Sequence, residues 1–271
     1  MGLDIDWAQA WREHSAERNK PDNEQFWDNR APSFAKTAGT SPYAARFLEL
    51  TGVREGESVF DMGCGSGTLA LPLAREGHEI VACDFSQVML DLMMQRAELD
   101  GIAGLISTHK LAWADDWSAH DLPACDVAVA SRSIATDDLQ SALLKLESKA
   151  RRRVCLTLSN GISPHLDSVL MGVIGRPAPV APEYMYAMNL LWQMGRSPEL
   201  QLIESGRPAV YDSPEHALEK NAELMEATPE ERDLLAAYIA EHLVPMKTEE
   251  GEGWGFTHKR LAVWGFVSWN L

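Results

Sequence analysis

The sequence predicts an α/β fold, a mainly parallel sheet with helices on both faces, and three observations carry that prediction. From Val53 to about Asn160, short runs rich in β-branched residues alternate with longer runs whose apolar residues recur at helical spacing, and such alternation requires crossover connections between parallel strands. A glycine-rich turn, DMGCGSGT, joins the first strand-like run to the first helix-like one. The second strand-like run then ends on a carboxylate, Asp84. In open sheets of this kind a ligand lies beyond the carboxyl ends of the strands, near the point where strand order reverses.

In chain order, residues 1–50 read as helical, with NEQFWDNRAPSFAK as an aromatic-rich stretch before the sheet begins. SVFDM (58–62), EIVACD (79–84), LISTHKLA (105–112), DVAVAS (126–131) and RVCLTLS (153–159) read as strands, being short, β-branched and bounded by turn residues. Between them LALPLARE, QVMLDLMMQRAELDG and DDLQSALLKLESKA carry the helical period. After Gly161 the composition shifts to Pro, Met and aromatics in PVAPEYMYAMNLLWQMGRSPE. DSPEHALEKNAELMEA follows, a helix that Asp212 or Ser213 can cap, and then TPEERDLLAAYIAEHLV, in which Thr228, Pro229 and Glu231 form a capping box with Pro at the first helical position. KRLAVWGFVSW closes the chain as an apolar strand. No internal repeat or low-complexity linker interrupts this pattern. The expected organisation is an N-terminal helical lid (1–50), an α/β core (51–164), a helical elaboration (165–258) inside the same domain and not a separable unit, and a last strand (259–271) returning to the core sheet.

Composition narrows the function classes. A chain of 271 residues with 45% hydrophobic residues can bury a full core, and no run approaches the roughly 18 to 20 apolar residues of a membrane helix. The start, MGLDIDWAQAW, is acidic where a secretory signal is basic, and Asp6 stands where N-myristoylation requires Ser or Thr. Lys and Arg number 24 against 40 Asp and Glu, a net charge of −16, which repels a polyanion at long range. Arg151-Arg152-Arg153 is a short basic run, better read as the solvated entry to the strand VCLTL than as a nucleic-acid contact. Cys64, Cys83, Cys125 and Cys155 show no CxxC spacing and suit small buried thiols in a reducing cytosol, so a cytoplasmic protein without a metal site is expected.

The glycines at 63, 65 and 67 do not make a dinucleotide fingerprint, because GxGxxG from Gly63 needs Gly or Ala at position 68 and finds Thr68. No Gly-Lys-Ser/Thr follows, which excludes a Walker loop. Instead, Asp61 precedes the glycines, and Asp84 comes 23 residues later at the end of the next strand. Two carboxylates beside a glycine-lined crevice repel phosphates and suit a ligand with hydroxyls and a positive charge. Asp84 can accept hydrogen bonds from both hydroxyls of a ribose; Asp61 can hold an ammonium, directly or through water.

VFDMGCGSGTLALPLA and VACDFSQVMLDLM, the latter with the pattern D-x-S-x-x-M-L, resemble the first two motifs of the class I S-adenosylmethionine-dependent methyltransferases. The resemblance continues through ADDW (114–117) into DVAVASRS, covers about residues 53–160, and extends more loosely to FWDNRAPSFA. It implies a Rossmann-like fold with a mainly parallel seven-stranded sheet, flanking helices and a helical insertion before the last strand. By position, it implies that Asp61, Gly63, Cys64 and Gly65 line the methionine and ribose part of S-adenosylmethionine, that Asp84 takes the ribose hydroxyls, and that Phe85 lies against the adenine. Asp115 or Asp116 would accept from the adenine amino group with Trp117 nearby, the doubled Asp leaving the register open by one. Ser131 would face the transferred methyl, although Ser131, Arg132 and Ser133 also read as a plain surface loop. Trp27 and Phe34 would form a lid while Arg30 pairs with the cofactor carboxylate, the alternative being a helix that docks its apolar face on the sheet.

Methyl transfer from a sulfonium is an in-line displacement, so the protein's part is chiefly alignment and exclusion of water. A general base is needed only for a protonated acceptor; His165 in SNGISPH is the first candidate, followed by Tyr184, Tyr186 and His258. The segment YMYAMNLLWQM reads either as a wall of the acceptor pocket or as a core or dimer helix. No Asn-Pro-Pro-Tyr or Asp-Pro-Pro-Tyr follows the fourth strand, and together with the acidic charge this favours a small-molecule acceptor over nucleic acid. Arsenic methylation would require several thiolates together, which these cysteine positions do not suggest. Two other classes stay open: a nicotinamide-dependent oxidoreductase, and a non-catalytic S-adenosylmethionine-binding scaffold.

Overall fold

The computed structural model describes residues 5–16, 24–35, 42–160, 166–176, 182–206, 209–248 and 251–271. The chain forms two compact units, one of residues 1–158, 183–203 and 265–271, the other of residues 159–182 and 204–264.

In the first unit, three helices, α1 (Trp7–Ala16), α2 (Glu24–Ala35) and α3 (Pro42–Thr51), precede the first strand, β1 (Val59–Met62). The alternating region follows as α4 (Ala70–Arg75), β2 (Ile80–Asp84), α5 (Gln87–Leu99), β3 (Ile106–Lys110), β4 (Cys125–Ser131), α6 (Leu139–Glu147) and β5 (Ala150–Ser159). The next helix is α7 (Ser168–Val173), which belongs to the second unit; α8 (Glu183–Gln193) returns to the first. Two later strands, β6 (Glu199–Gly206) and β10 (Leu261–Asn270), complete the seven expected strands, in the order β3-β2-β1-β4-β5-β10-β6. Pairings from β3 through β5 are all parallel, with Asp61 level with Ala82 and with Val129. From β1 the chain steps outward through β2 to β3 and then returns to the other side of β1 as β4, so strand order reverses between β1 and β4.

Helices on both faces explain why β1 and β2 are buried at every residue instead of alternating. Phe60 and Met62 pack into a cluster with Trp11 of α1, Leu143 and Leu146 of α6, Leu190 and Leu191 of α8, and Trp269. The pleat therefore turns Val59 and Asp61 to the opposite face. Helix α8 is the segment YMYAMNLLWQM, and the core-helix alternative describes its packing: Ala187, Leu190 and Leu191 are fully buried. Gly265 of β10 makes room for it, since a Cβ there would fall 2.3 Å from the Tyr184 ring.

The second unit contains α7, α9 (Pro214–Leu224) and α10 (Pro229–His242) with a three-stranded sheet, β7 (Val210–Tyr211), β9 (Gly251–Phe256) and β8 (Leu243–Thr248), in the order β7-β9-β8. Ser213, one of the two expected caps, accepts from the His216 N–H, and Thr228 and Glu231 form the expected capping box. Leu243 leaves the helix and opens β8, antiparallel to β9. Within residues 165–258, α8 packs into the first unit's core and β6 is a strand of the seven-stranded sheet, which β10 also joins. None of the described helices is long and apolar enough to cross a membrane.

Candidate functional site

The switch point between β1 and β4 carries the glycine loop. The N–H groups of Gly63 and Cys64 both donate to the carbonyl of Cys83, at 2.7 and 3.0 Å, so the end of β2 holds the loop's first turn. Gly63 lies at φ +72°, and a Cβ there would fall 2.2 Å from Ser133 Cβ. Ser133 Oγ in turn donates to the Met62 carbonyl at 2.6 Å, which draws the segment after β4 tightly over the turn. Gly65, at φ +54°, has nothing within 4 Å of its would-be Cβ, so its freedom from a side chain leaves room for a close approach to backbone.

The two carboxylates have different surroundings. Asp84 accepts the Gly65 N–H on Oδ2 at 2.8 Å and the Ser86 N–H on Oδ1 at 2.9 Å. Its carboxyl is pushed up chiefly by burial, against the lowering effect of those backbone hydrogen bonds. Asp61 is 1% exposed, and its Oδ2 accepts no hydrogen bond among the described residues. Burial first and the Asp84 charge second raise it to about 7. A buried unpaired acceptor is unfavourable, and a cation placed beside it would favour the ionised form.

Helix α2 packs against α5 and brings in a third carboxylate. Ser86 caps α5 by accepting the Met89 N–H, and its own hydroxyl donates to Asp28 Oδ1 at 2.5 Å. Lys110, the last residue of β3, pairs with Glu24 of the same helix at 2.7 Å. Asp28 is a residue that sequence reasoning missed: a single acid within a helix carries no periodic or motif signal. Trp27 is half-buried on this helix, edge-on to Phe26 at 5.5 Å. The Arg30 and Phe34 side chains lie outside the described residues. Phe85, between Asp84 and the capping serine, is half-buried.

Asp115 and Asp116 are exposed in the loop after β3, and each stabilises that loop: Asp115 accepts the Ala112 N–H, while Asp116 accepts the N–H and hydroxyl of Ser118. Lys145 donates to the carbonyls of Trp113 and Asp115. Trp117 is 3% exposed against Phe60 and Trp113, so it supports the loop from within the core and offers no open face. At the end of β4, Ser131 shares a hydrogen bond of 2.9 Å with the hydroxyl of Tyr43 on α3, a partner 88 residues away that no local pattern announces.

Among the candidate bases, His165 lies outside the described residues. Tyr186 stacks on His14 at 5.1 Å and meets Trp11 edge-on, at the border of the core cluster. In the second unit, both ring nitrogens of His258 are engaged, Nε2 with Asp167 at 2.9 Å and Nδ1 with the Tyr238 hydroxyl at 3.3 Å. No group of three or more metal-ligating side chains occurs among the described residues.

The arrangement fits S-adenosylmethionine: an unpaired buried carboxylate for an ammonium, an acid at the end of β2 for hydroxyls, and a glycine where backbone can be approached. Residues 59–150 match a family model described as a methyltransferase domain. A functionally uncharacterized protein of Haemophilus influenzae is 37% identical over 205 residues, covering 74% of this chain and 75% of that protein. Demethylmenaquinone methyltransferase of Beutenbergia cavernae is 38% identical over 69 residues, and the match spans only 28% of that enzyme. Among solved structures, YcgJ of Bacillus subtilis has the same fold, with a TM-score of 0.53 at 14% identity over 84% of this chain and 97% of that one. A cyclopropane-fatty-acyl-phospholipid synthase-like protein from Lactobacillus casei gives 0.52 at 14% identity over 89% and 99%. With the glycine loop, the strand order and the matched domain in agreement, the chain belongs to the class I S-adenosylmethionine-dependent methyltransferase family.

Proposed function

We propose that this protein binds S-adenosylmethionine at the carboxyl ends of β1 and β2 and methylates a small-molecule acceptor. The observation that carries this reading is Asp61, whose Oδ2 is buried and accepts no hydrogen bond among the described residues, beside the open approach at Gly65. When bound, the cofactor supplies an electrophilic methyl group on a sulfonium.

Each residue then has a physical task. Asp61 holds the ammonium and becomes ionised as it does so. Asp84 uses one lone pair on each oxygen for Gly65 and Ser86; a carboxylate has about four such acceptor positions, which leaves capacity for two ribose hydroxyls. Cys64 contributes its backbone, since burial pushes its thiol well up and keeps it a neutral small hydrophobe. Phe85 and Trp27 flank the adenine and methionine ends, and Asp115 or Asp116 accepts from the adenine amino group. Ser131 at the end of β4 and Ser133 just past it stand on the methyl side, and alignment with exclusion of water supplies the rate.

The net charge of −16 supports a small molecule over a nucleic acid, whose phosphates would meet long-range repulsion. The test is S-adenosylhomocysteine formation from S-adenosylmethionine in the presence of a panel of small acceptors, with the Asp61→Asn variant alongside. Turnover by the wild-type chain and its loss in the variant is the expected result. Cofactor binding without turnover across the panel would favour a scaffold instead.

A further inference from the structure

Helix α2 meets the core with an acidic face. Glu24 and Asp28 stand four residues apart and so share one side of the helix. Glu24 pairs with Lys110 at the end of β3, and Asp28 Oδ1 accepts the Ser86 hydroxyl, two residues past the end of β2, at 2.5 Å. The two contacts are unequal. Glu24 and Lys110 are exposed, and a surface pair of that kind holds little. Ser86 is fully buried, so its bond to Asp28 is made out of reach of water. Among the described side chains of α2 only Ala31 is fully buried, whereas α5 buries Met89, Leu90, Met93 and Ala97. A helix with so little apolar burial can separate from the core without unfolding it.

What α2 lies on is the acid end of the cofactor site. The Ser86 N–H donates to Asp84 Oδ1, so one serine joins the Asp28 and Asp84 carboxylates, whose charges oppose each other. Asp84 is 6% exposed, although it is assigned to a ligand that must arrive from solvent. The serine is suited to release. Its oxygen keeps the Met89 N–H, the cap of α5, whichever acceptor takes its hydrogen. When α2 lifts, water replaces Asp28 on the Ser86 hydroxyl, and Asp84 keeps the N–H groups of Gly65 and Ser86.

We propose that Asp28 is a positioning residue of the cofactor site: by accepting the Ser86 hydroxyl it latches α2 across Asp84, and α2 is the cover that lifts to admit the cofactor and slows its departure. A bound ligand favours the closed helix in two ways. Its hydroxyls take the open acceptor positions of Asp84, and its ammonium, beside Asp61, offsets the negative charge that α2 closes upon. By linkage, whatever factor the closed helix adds to cofactor affinity, the cofactor adds to closure. This inference rests on the proposed S-adenosylmethionine site, because it takes Asp84 as a ligand contact.

The test uses the full chain as wild type, Asp28→Ala and Asp28→Asn, with S-adenosylhomocysteine as the probe. Calorimetry gives the affinity, and a chase of labelled by unlabelled ligand gives the association and dissociation rates. Hydrogen exchange read by mass spectrometry gives the protection of α2 and β1 with and without ligand. In wild type, saturating S-adenosylhomocysteine should slow exchange in α2. Asp28→Ala should release the ligand about fivefold faster, the share of one hydrogen bond, with an association rate equal to wild type or higher, and its α2 should gain less protection from the ligand. Asparagine keeps an oxygen acceptor for Ser86, so Asp28→Asn should fall between the two. A role confined to folding would lower the Tm of Asp28→Ala and leave its dissociation rate at the wild-type value. Failure of the wild-type protein to bind S-adenosylhomocysteine overturns the methyltransferase reading and this inference with it. Binding that leaves α2 exchange unchanged, an unaltered dissociation rate in Asp28→Ala, or an Asn variant that releases as fast as the Ala variant overturns this inference alone.

Discussion

Asp61→Asn separates what the buried carboxylate does for folding from what it does for the ligand. In the folded protein, burial and the Asp84 charge raise Asp61 from 3.8 to about 7. Between those values the folded chain keeps a proton that the unfolded chain has released. The stability tied to this group is therefore full below about pH 4, falls as pH rises, and is lost above about pH 7. At about 1.4 kcal/mol per unit of difference, the ceiling is about 4 kcal/mol, and relaxation around a buried ion makes about 2 kcal/mol a reasonable expectation. Asparagine is neutral throughout, so the variant should be more stable than wild type at pH 8, with the difference shrinking as pH falls and vanishing only below about pH 4. A cationic ligand reverses the sign: the ammonium favours the ionised carboxylate, so wild-type binding should release a proton below about pH 7 and tighten as pH rises. Urea unfolding from about pH 3.5 to 8.5 reads the first effect, and calorimetry in buffers of different ionisation enthalpy reads the second. The variant should bind S-adenosylmethionine roughly 10- to 100-fold more weakly, without proton release. A stability difference that ignores pH, or undiminished binding, would refute the reasoning.

Three further substitutions probe the neighbouring parts of the site. Asp84→Ala should weaken S-adenosylmethionine binding by about 1 to 3 kcal/mol through lost charge-assisted hydrogen bonds; unchanged affinity in a folded variant, by calorimetry, would remove Asp84 from the site. Gly63→Ala should cost about 2 to 4 kcal/mol, from left-handed backbone and the collision with Ser133, measured as a lowered urea midpoint; Gly63→Ala combined with Ser133→Gly should recover only the collision share. Asp28→Ala removes the acceptor for the Ser86 hydroxyl and should cost about 1 kcal/mol, speeding hydrogen exchange in α2 while leaving the amides of β1 protected. Equal acceleration in both elements would show that α2 is not a separately held helix.

The α/β core was legible because its signals are local and periodic. Helix spacing in QVMLDLMMQRAEL, the unbroken apolar strand IVACD and the capping box at Thr228 each lie within one short window, and all three appear as elements. Strands β6 and β8 were not legible for the opposite reason. ELQLIESG is charged and mostly exposed at the sheet edge, and LVPMKT continues the apolar pattern of α10 until Pro245, so neither announces a strand without its partner. The helix 183–193 carries the same apolar residues whether it lines a pocket or a core; only packing against α1 and α6 distinguishes the two. Within the site, Asp61 and Asp84 were legible through their spacing to the glycines. Asp28, Tyr43 and the closeness of Ser133 to Gly63 depend on contacts between residues far apart in sequence, to which no periodicity refers.

The most direct test of the central claim is a parallel calorimetric titration of the purified protein with S-adenosylmethionine, S-adenosylhomocysteine and a nicotinamide dinucleotide. Saturable binding of both adenosyl ligands, with none of the dinucleotide, is the predicted result. Binding of the dinucleotide alone would contradict the assignment of the glycine loop, and with it the roles given to Asp61 and Asp84.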